Sequence, residues 1–123
     1  MSACTGTYTT TDHRGDPKRP VWETIITYAG VTADTTATAA VNVEGLLQKI
    51  VLVASDNTGN RTSTLTITDR NDKTIFTSAA GLAENKTHTW SVSEPLSGPC
   101  DVLITYSGAL GGSHTDYVYL RGV

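Results

Sequence analysis

The chain has 123 residues, enough for one domain that buries roughly two-thirds of its unfolded surface without disulfide staples. A net charge of −3 argues against binding to nucleic acid or to anionic lipid, and no run of about 18 apolar residues is present to span a bilayer as a helix. Only 38% of the residues are hydrophobic and 17% charged, with threonine filling much of the difference. Threonine is β-branched and amphipathic, so this composition points to strands rather than helices.

Residues 1–20 differ from the rest. Gly6, Gly15, Pro17 and Pro20 stand among threonines and mixed charges, with almost no apolar side chain. Such a stretch cannot bury enough surface to offset its ordering entropy, so an extended N-terminal arm, disordered in the free protein, is expected there. Its opening, Met1 to Gly6, lacks the charged-then-apolar build of a secretory signal, which points to synthesis in a cytoplasm.

From residue 21 to 123 the pattern has period two, broken by turn clusters, as strands require. Trp22 to Tyr28 places Trp22, Thr24, Ile26 and Tyr28 on one face. Thr35 to Val43 alternates, Gly45 interrupts, and Leu46 to Ala54 follows. Within it Ile50-Val51-Leu52-Val53 is apolar on both faces, which predicts a central strand covered on both sides. Ser63 to Thr68 and Thr74 to Thr77 flank a hairpin connection through Asp69-Arg70-Asn71-Asp72-Lys73. Thr87 to Ser93 carries His88, Trp90 and Val92 on one face; Pro95 and Pro99 then bracket a turn. Asp101 to Ser107 and Asp116 to Arg121 complete the set, the last presenting Val118 and Leu120 against Tyr117 and Tyr119.

About eight strands at this spacing predict an all-β fold, an antiparallel β-sandwich of jelly-roll-like type. The predicted core is Ile50, Leu52, Leu65, Ile67, Trp90, Val92, Val102, Ile104, Val118 and Leu120. Cys4 and Cys100 are expected to remain unpaired thiols.

No nucleophile elbow, cofactor loop or zinc spacing stands in the sequence, so no enzyme and no cofactor are expected. His88 beside Trp90 reads as a boundary residue, and His114-Thr115-Asp116 as an ordinary loop end. Asp69, Asn71 and Asp72 alternate like calcium ligands but lack the glycine and distal glutamate of an EF-hand. Arg14-Gly15-Asp16 matches an integrin-binding tripeptide, a match short enough to arise by chance. Arg14, Lys18 and Arg19 put three of nine basic residues in the arm while the remainder is acidic. Together with Asp16, and with Tyr117 and Tyr119 on the outward side of the last strand, they are the candidate partner-binding residues. The aromatics Trp22, Trp90, Tyr106, Tyr117 and Tyr119 are also candidates for stacking on sugars, although core positions should claim about half of them.

The layout of Gly45-Leu46-Leu47-Gln48-Lys49-Ile50-Val51-Leu52 and Thr64-Leu65-Thr66-Ile67-Thr68-Asp69 resembles small β-sandwich virion proteins of tailed bacteriophages. The likeness continues through Thr74-Ile75-Phe76, Glu94-Pro95-Leu96-Ser97-Gly98-Pro99 and Asp101-Val102-Leu103-Ile104-Thr105, about two-thirds of the chain. It implies a capsid decoration, or cement, protein of the virion. The implied partners are the major capsid protein or other virion proteins, with homo-oligomers on the particle and neither nucleic acid nor membrane involved. The alternative is a carbohydrate-binding module of a phage tail or fibre.

Overall fold

The computed structural model describes residues 2–12, 21–69, 71 and 73–123. These form β1 (Ser2–Thr5), β2 (Thr7–Asp12), β3 (Trp22–Gly30), β4 (Asp34–Ala54), β5 (Ser63–Asp69), β6 (Thr74–Thr77), β7 (Lys86–Tyr106) and β8 (His114–Gly122). The strand order is β2-β3-β8-β4-β7-β5-β6, with β1 added beside β4. Every pairing is antiparallel except that of β1 with β4, which is parallel. The expected all-β, antiparallel architecture of about eight strands forms, with that one parallel pair added.

Strands β4 and β7 have 21 residues each. Straight, each would reach about 70 Å, whereas a chain of this length packs to a radius of gyration of roughly 14 Å. They must bend, and the pairing shows where. Residues 47–53 of β4 pair with both β8 and the first half of β7. Residues 36–45 pair instead with the second half of β7, and residues 34 and 36–38 with β1. The bend lies at Gly45 and Gly98, two residues apart across the ladder, with φ of 133° and 119°. Only glycine adopts such angles without strain. The sheet thereby turns over on itself as two packed layers. One contains β2, β3, β8 and residues 47–54 and 86–94. The other contains β1, residues 34–45 and 95–106, β5 and β6. Tyr28 of the first layer spans the core and donates its hydroxyl to the carbonyl of Val102 in the second at 2.8 Å.

Eight of the ten predicted core residues are fully buried: Ile50, Leu52, Leu65, Ile67, Val102, Ile104, Val118 and Leu120. Trp90 and Val92 are half-buried, because residues 86–94 form a sheet edge that the opposite layer covers only in part. Trp22, Ile26 and Tyr28 are the largest of the further side chains buried with them, alongside Val41, Leu47 and Leu110.

The sequence predicts eight strands and eight form, but they divide the chain differently. Gly45 bends β4 without ending it. Pro95 and Pro99 lie inside β7, opposite Leu46 and Asn42, before the pairing with β5 begins at Cys100. Strand β7 has a neighbour on one side only at those positions, so the missing N–H need not cost a ladder bond.

The N-terminal arm is revised too. Residues 2–12 are strands of the sheet, held by main-chain pairing that needs no apolar side chains. All six side chains of β2 are exposed, which is why composition alone suggests disorder. Cys4 reaches the core, and Gly6 lies where an added Cβ would stand 2.8 Å from the Tyr28 ring. The remainder of the arm, residues 13–20, lies outside the described residues.

Candidate functional site

The outer face of the first layer is built from the outward members of five adjacent strands. Register fixes its rows. Thr9, Ile25, Tyr119, Val51 and Thr89 lie side by side across β2, β3, β8, β4 and β7. The neighbouring row is Thr7, Thr27, Tyr117, Val53 and Thr87, and a third holds Thr11, Glu23, Arg121, Lys49 and Ser91. Tyr117 is 36% exposed, while Ile25, Tyr119, Val51 and Val53 are half-buried by one another. The centre of this face is therefore apolar and aromatic, its two flanks are threonine, and one end is charged.

This corrects the reading of Ile50 to Val53 as covered on both sides. The strand is central in its layer, but Val51 and Val53 face outward, and none of the described strands lies over them. Antiparallel sheets usually place polar residues on such a face, and a contiguous apolar patch there marks an interaction surface.

Arg121 orders the charged end. Its Nε donates to Glu23 Oε2 at 2.5 Å, and its guanidinium carbon sits 5.8 Å from the centre of the Tyr119 ring. A cation over an aromatic face is attracted by the ring quadrupole, which holds the Tyr119 ring in place. Beside this row a shallow depression of about 380 Å³ is lined by Val21, Gln48, Lys49 and Arg121.

Of the sequence-predicted partner-binding residues, Tyr117 and Tyr119 come together on this face. Arg14, Asp16, Lys18 and Arg19 lie outside the described residues. The sugar-stacking candidates separate: Trp22 and Tyr106 are core, Trp90 is half-buried against Phe76 and His88, and only Tyr117 and Tyr119 face outward. Sequence reasoning missed Ile25, Val51, Val53 and the Glu23–Arg121 pair. The available signal was the double-sided apolar pattern of Ile50 to Val53.

The polar loops hold structure rather than converging on a substrate position. His114 Nε2 accepts the Thr58 N–H at 2.8 Å, and Glu84 accepts the Asn57 N–H at 2.6 Å. His88 Nε2 lies 2.9 Å from the Ala83 carbonyl. Asp69 accepts the N–H groups of Asn71 and Lys73 at 2.8 and 3.0 Å, and these bonds hold its carboxyl below the usual range. Asp69 thus caps the turn between β5 and β6. Among the described residues no three His, Cys, Asp or Glu side chains converge as a metal site would need.

No protein-family model matches the chain, and no curated protein does. Solved structures resemble it in fold. The pre-peptidase C-terminal domain of a collagenase from Bacillus anthracis aligns over 95% of this chain and 92% of its own, at 13% identity and a TM-score of 0.49. TmCBM61, solved with β-1,4-galactotriose, aligns over 93% and 86%, at 7% identity and a TM-score of 0.46. The structure of infectious bursal disease virus, Gx strain, aligns over 80% of this chain and 32% of the viral one, at 14% identity and a TM-score of 0.37. Sequences this divergent carry no function across.

Proposed function

We propose that this protein is a non-enzymatic structural component of a phage particle, a capsid decoration protein made in the host cytoplasm. It acts by laying its outer sheet face on the major capsid protein of the assembled shell. The observation that supports docking is the register of Ile25, Tyr119 and Val51 with Tyr117 and Val53, an apolar centre that no described strand covers on an otherwise polar antiparallel layer. The resemblance carried by residues 45–52, 64–69, 74–76, 94–99 and 101–105 supports the phage setting. A protein that binds only the assembled shell stabilises it by mass action, with no chemistry required.

A protein surface suits this face better than a sugar. Carbohydrate sites combine a ring face with amide or carboxylate groups that hydrogen-bond the hydroxyls. Here Tyr119 is flanked by Ile25 and Val51, and one approach to its ring is taken by Arg121.

The test is co-sedimentation of the pure protein with empty shells, using wild type and the double variant Tyr117→Ser/Tyr119→Ser. Both side chains face outward, so the variant should fold normally and bind at least about 10-fold more weakly, as loss of aromatic anchors does. Equal binding by the two proteins would remove the face from the mechanism. Saturable binding to a glycan, abolished in the double variant while shell binding persists, would establish the carbohydrate-binding alternative instead.

A further inference from the structure

Strand β7 has a free edge. Its residues 100–105 are paired on both sides, by β4 and β5, but residues 86–94 are paired, among the described residues, by β4 alone. An unpaired edge presents a row of N–H and C=O groups ready to accept another strand. Proteins commonly blunt such edges with proline or charge. Pro95 and Pro99 guard the adjoining stretch, yet residues 87–93, Thr-His-Thr-Trp-Ser-Val-Ser, contain neither.

The charges sit at the two ends of this segment. Lys86 opens it and Glu94 closes it, and among the described residues neither is in an ion pair. Eight residues of strand separate them by about 26 Å, so they cannot meet within one chain. Lys86 stands opposite the buried Ala54 and Glu94 opposite the buried Leu47, so both side chains lie on the inner side of the sheet, with His88, Trp90 and Val92.

We propose that this edge pairs antiparallel with the same edge of a second copy, about a two-fold axis through Trp90. Under that axis residue 90−n of one copy opposes residue 90+n of the other. Lys86 then faces Glu94 of the second copy, and Glu94 faces its Lys86. Thr89 meets Ser91, Thr87 meets Ser93, and the two half-exposed Trp90 rings meet at the centre. Opposed charges and paired hydroxyls directly across a ladder are stabilising, and a two-fold contact is self-complementary by construction. One irregularity is accommodated. Strand β7 carries an extra residue opposite Gln48, between Ser91 and Glu94. The flexible four-carbon stem of lysine spans the small offset this introduces.

The consequence is a continuous ten-stranded layer that joins the two Tyr117–Tyr119 faces side by side. The pairing is independent of any particle, since it forms between free chains in solution.

Charge exchange at the two ends tests it. Sedimentation equilibrium of the full chain should show a concentration-dependent dimer. Lys86→Glu and Glu94→Lys each place two like-charged pairs at the contact and should weaken dimerisation about 10-fold. The double exchange Lys86→Glu/Glu94→Lys should restore it. Circular dichroism and thermal melts confirm that each variant is folded, and either single variant alone suffices if the other is not. Trp22 is 1% exposed, so a concentration-dependent change in tryptophan emission reports Trp90. A monomer at every concentration overturns the proposal, and so does a dimer indifferent to the single exchanges or not restored by the double one.

Discussion

Tyr106 donates its phenolic hydrogen to Asp116 Oδ2 at 2.6 Å, across the buried end of the sandwich. The other carboxylate oxygen accepts both the N–H and the hydroxyl of Ser55, each at 2.8 Å. Asp116 is 5% exposed, so these donors replace the water it loses on folding. Three elements end here together: Ser55 follows β4, Tyr106 closes β7, and Asp116 lies in β8. Tyr106→Phe should lower stability by about 1–3 kcal/mol, the range for losing a hydrogen bond to a buried charged group. Urea unfolding measures this directly, and an unchanged midpoint would show that Asp116 does not need the phenol.

The same geometry governs the response to alkali. Burial pushes the Tyr106 phenol well above its ordinary value, and the Asp116 charge adds to the shift. Tyr28 is raised as well, chiefly by burial. A phenol whose folded pKa is raised contributes stability that is fully present below its unfolded pKa of about 10 and is lost as pH rises beyond it. Phenolate absorbance should therefore show two of the five tyrosines ionising only together with loss of the near-ultraviolet dichroism of the fold. Smooth ionisation of all five in a protein still folded would contradict this burial.

Much of the interior was legible in the sequence, because period-two alternation reports which side of a strand is apolar. Ile50, Leu65, Ile104 and Val118 follow from it directly. The N-terminal strands were not legible, since Thr7–Asp12 is held by main-chain bonds that leave no mark in side-chain pattern. Nor was the continuity of β4 and β7. Glycine and proline punctuate most strands, and only pairing shows that Gly45 bends one while Pro95 and Pro99 lie along an unpaired edge. Of the candidate site, Tyr117 and Tyr119 were found because both alternate outward. Val51 and Val53 were misread, since an apolar residue on a strand does not reveal whether a second layer lies over it.

Two glycines should respond differently to the same substitution. At Gly98 an added Cβ meets nothing closer than Asn42 Oδ1 at 3.6 Å, so only the positive φ is violated. Gly98→Ala should cost about 1–3 kcal/mol from backbone strain. At Gly122 a Cβ would overlap the Leu46 carbonyl oxygen and stand 2.9 Å from the Trp22 ring. That carbonyl accepts the Val123 N–H at 3.0 Å, so it cannot retreat without losing a bond. Gly122→Ala should be the more damaging of the two, with a visibly lower melting temperature. The reverse order would mean that the C-terminal end of β8 yields more easily than the bend.

The two thiols should be silent in the native protein. Both cysteines are buried and free. Burial pushes the Cys100 thiol up to about 11, with Asp101 contributing, and raises Cys4, where the carboxylates of Asp34 and Asp116 add to the effect. The thiolate is the reactive form, so at about pH 8 each group is both shielded and protonated. Their places along β4 keep them apart. Cys4 pairs with Ala37 on one side of that strand, and Cys100 with Val41 on the other. Four residues of offset and two ladder spacings separate them by well over the roughly 7 Å limit for bridging Cα atoms. A disulfide-exchange reagent should accordingly titrate no thiol in the folded protein and two in denaturant, with or without prior reduction. Rapid native labelling of Cys4 alone would show that β1 detaches from β4 in solution, returning residues 2–5 to an arm. A need for reductant before the denatured thiols react would indicate a bridge that the register forbids.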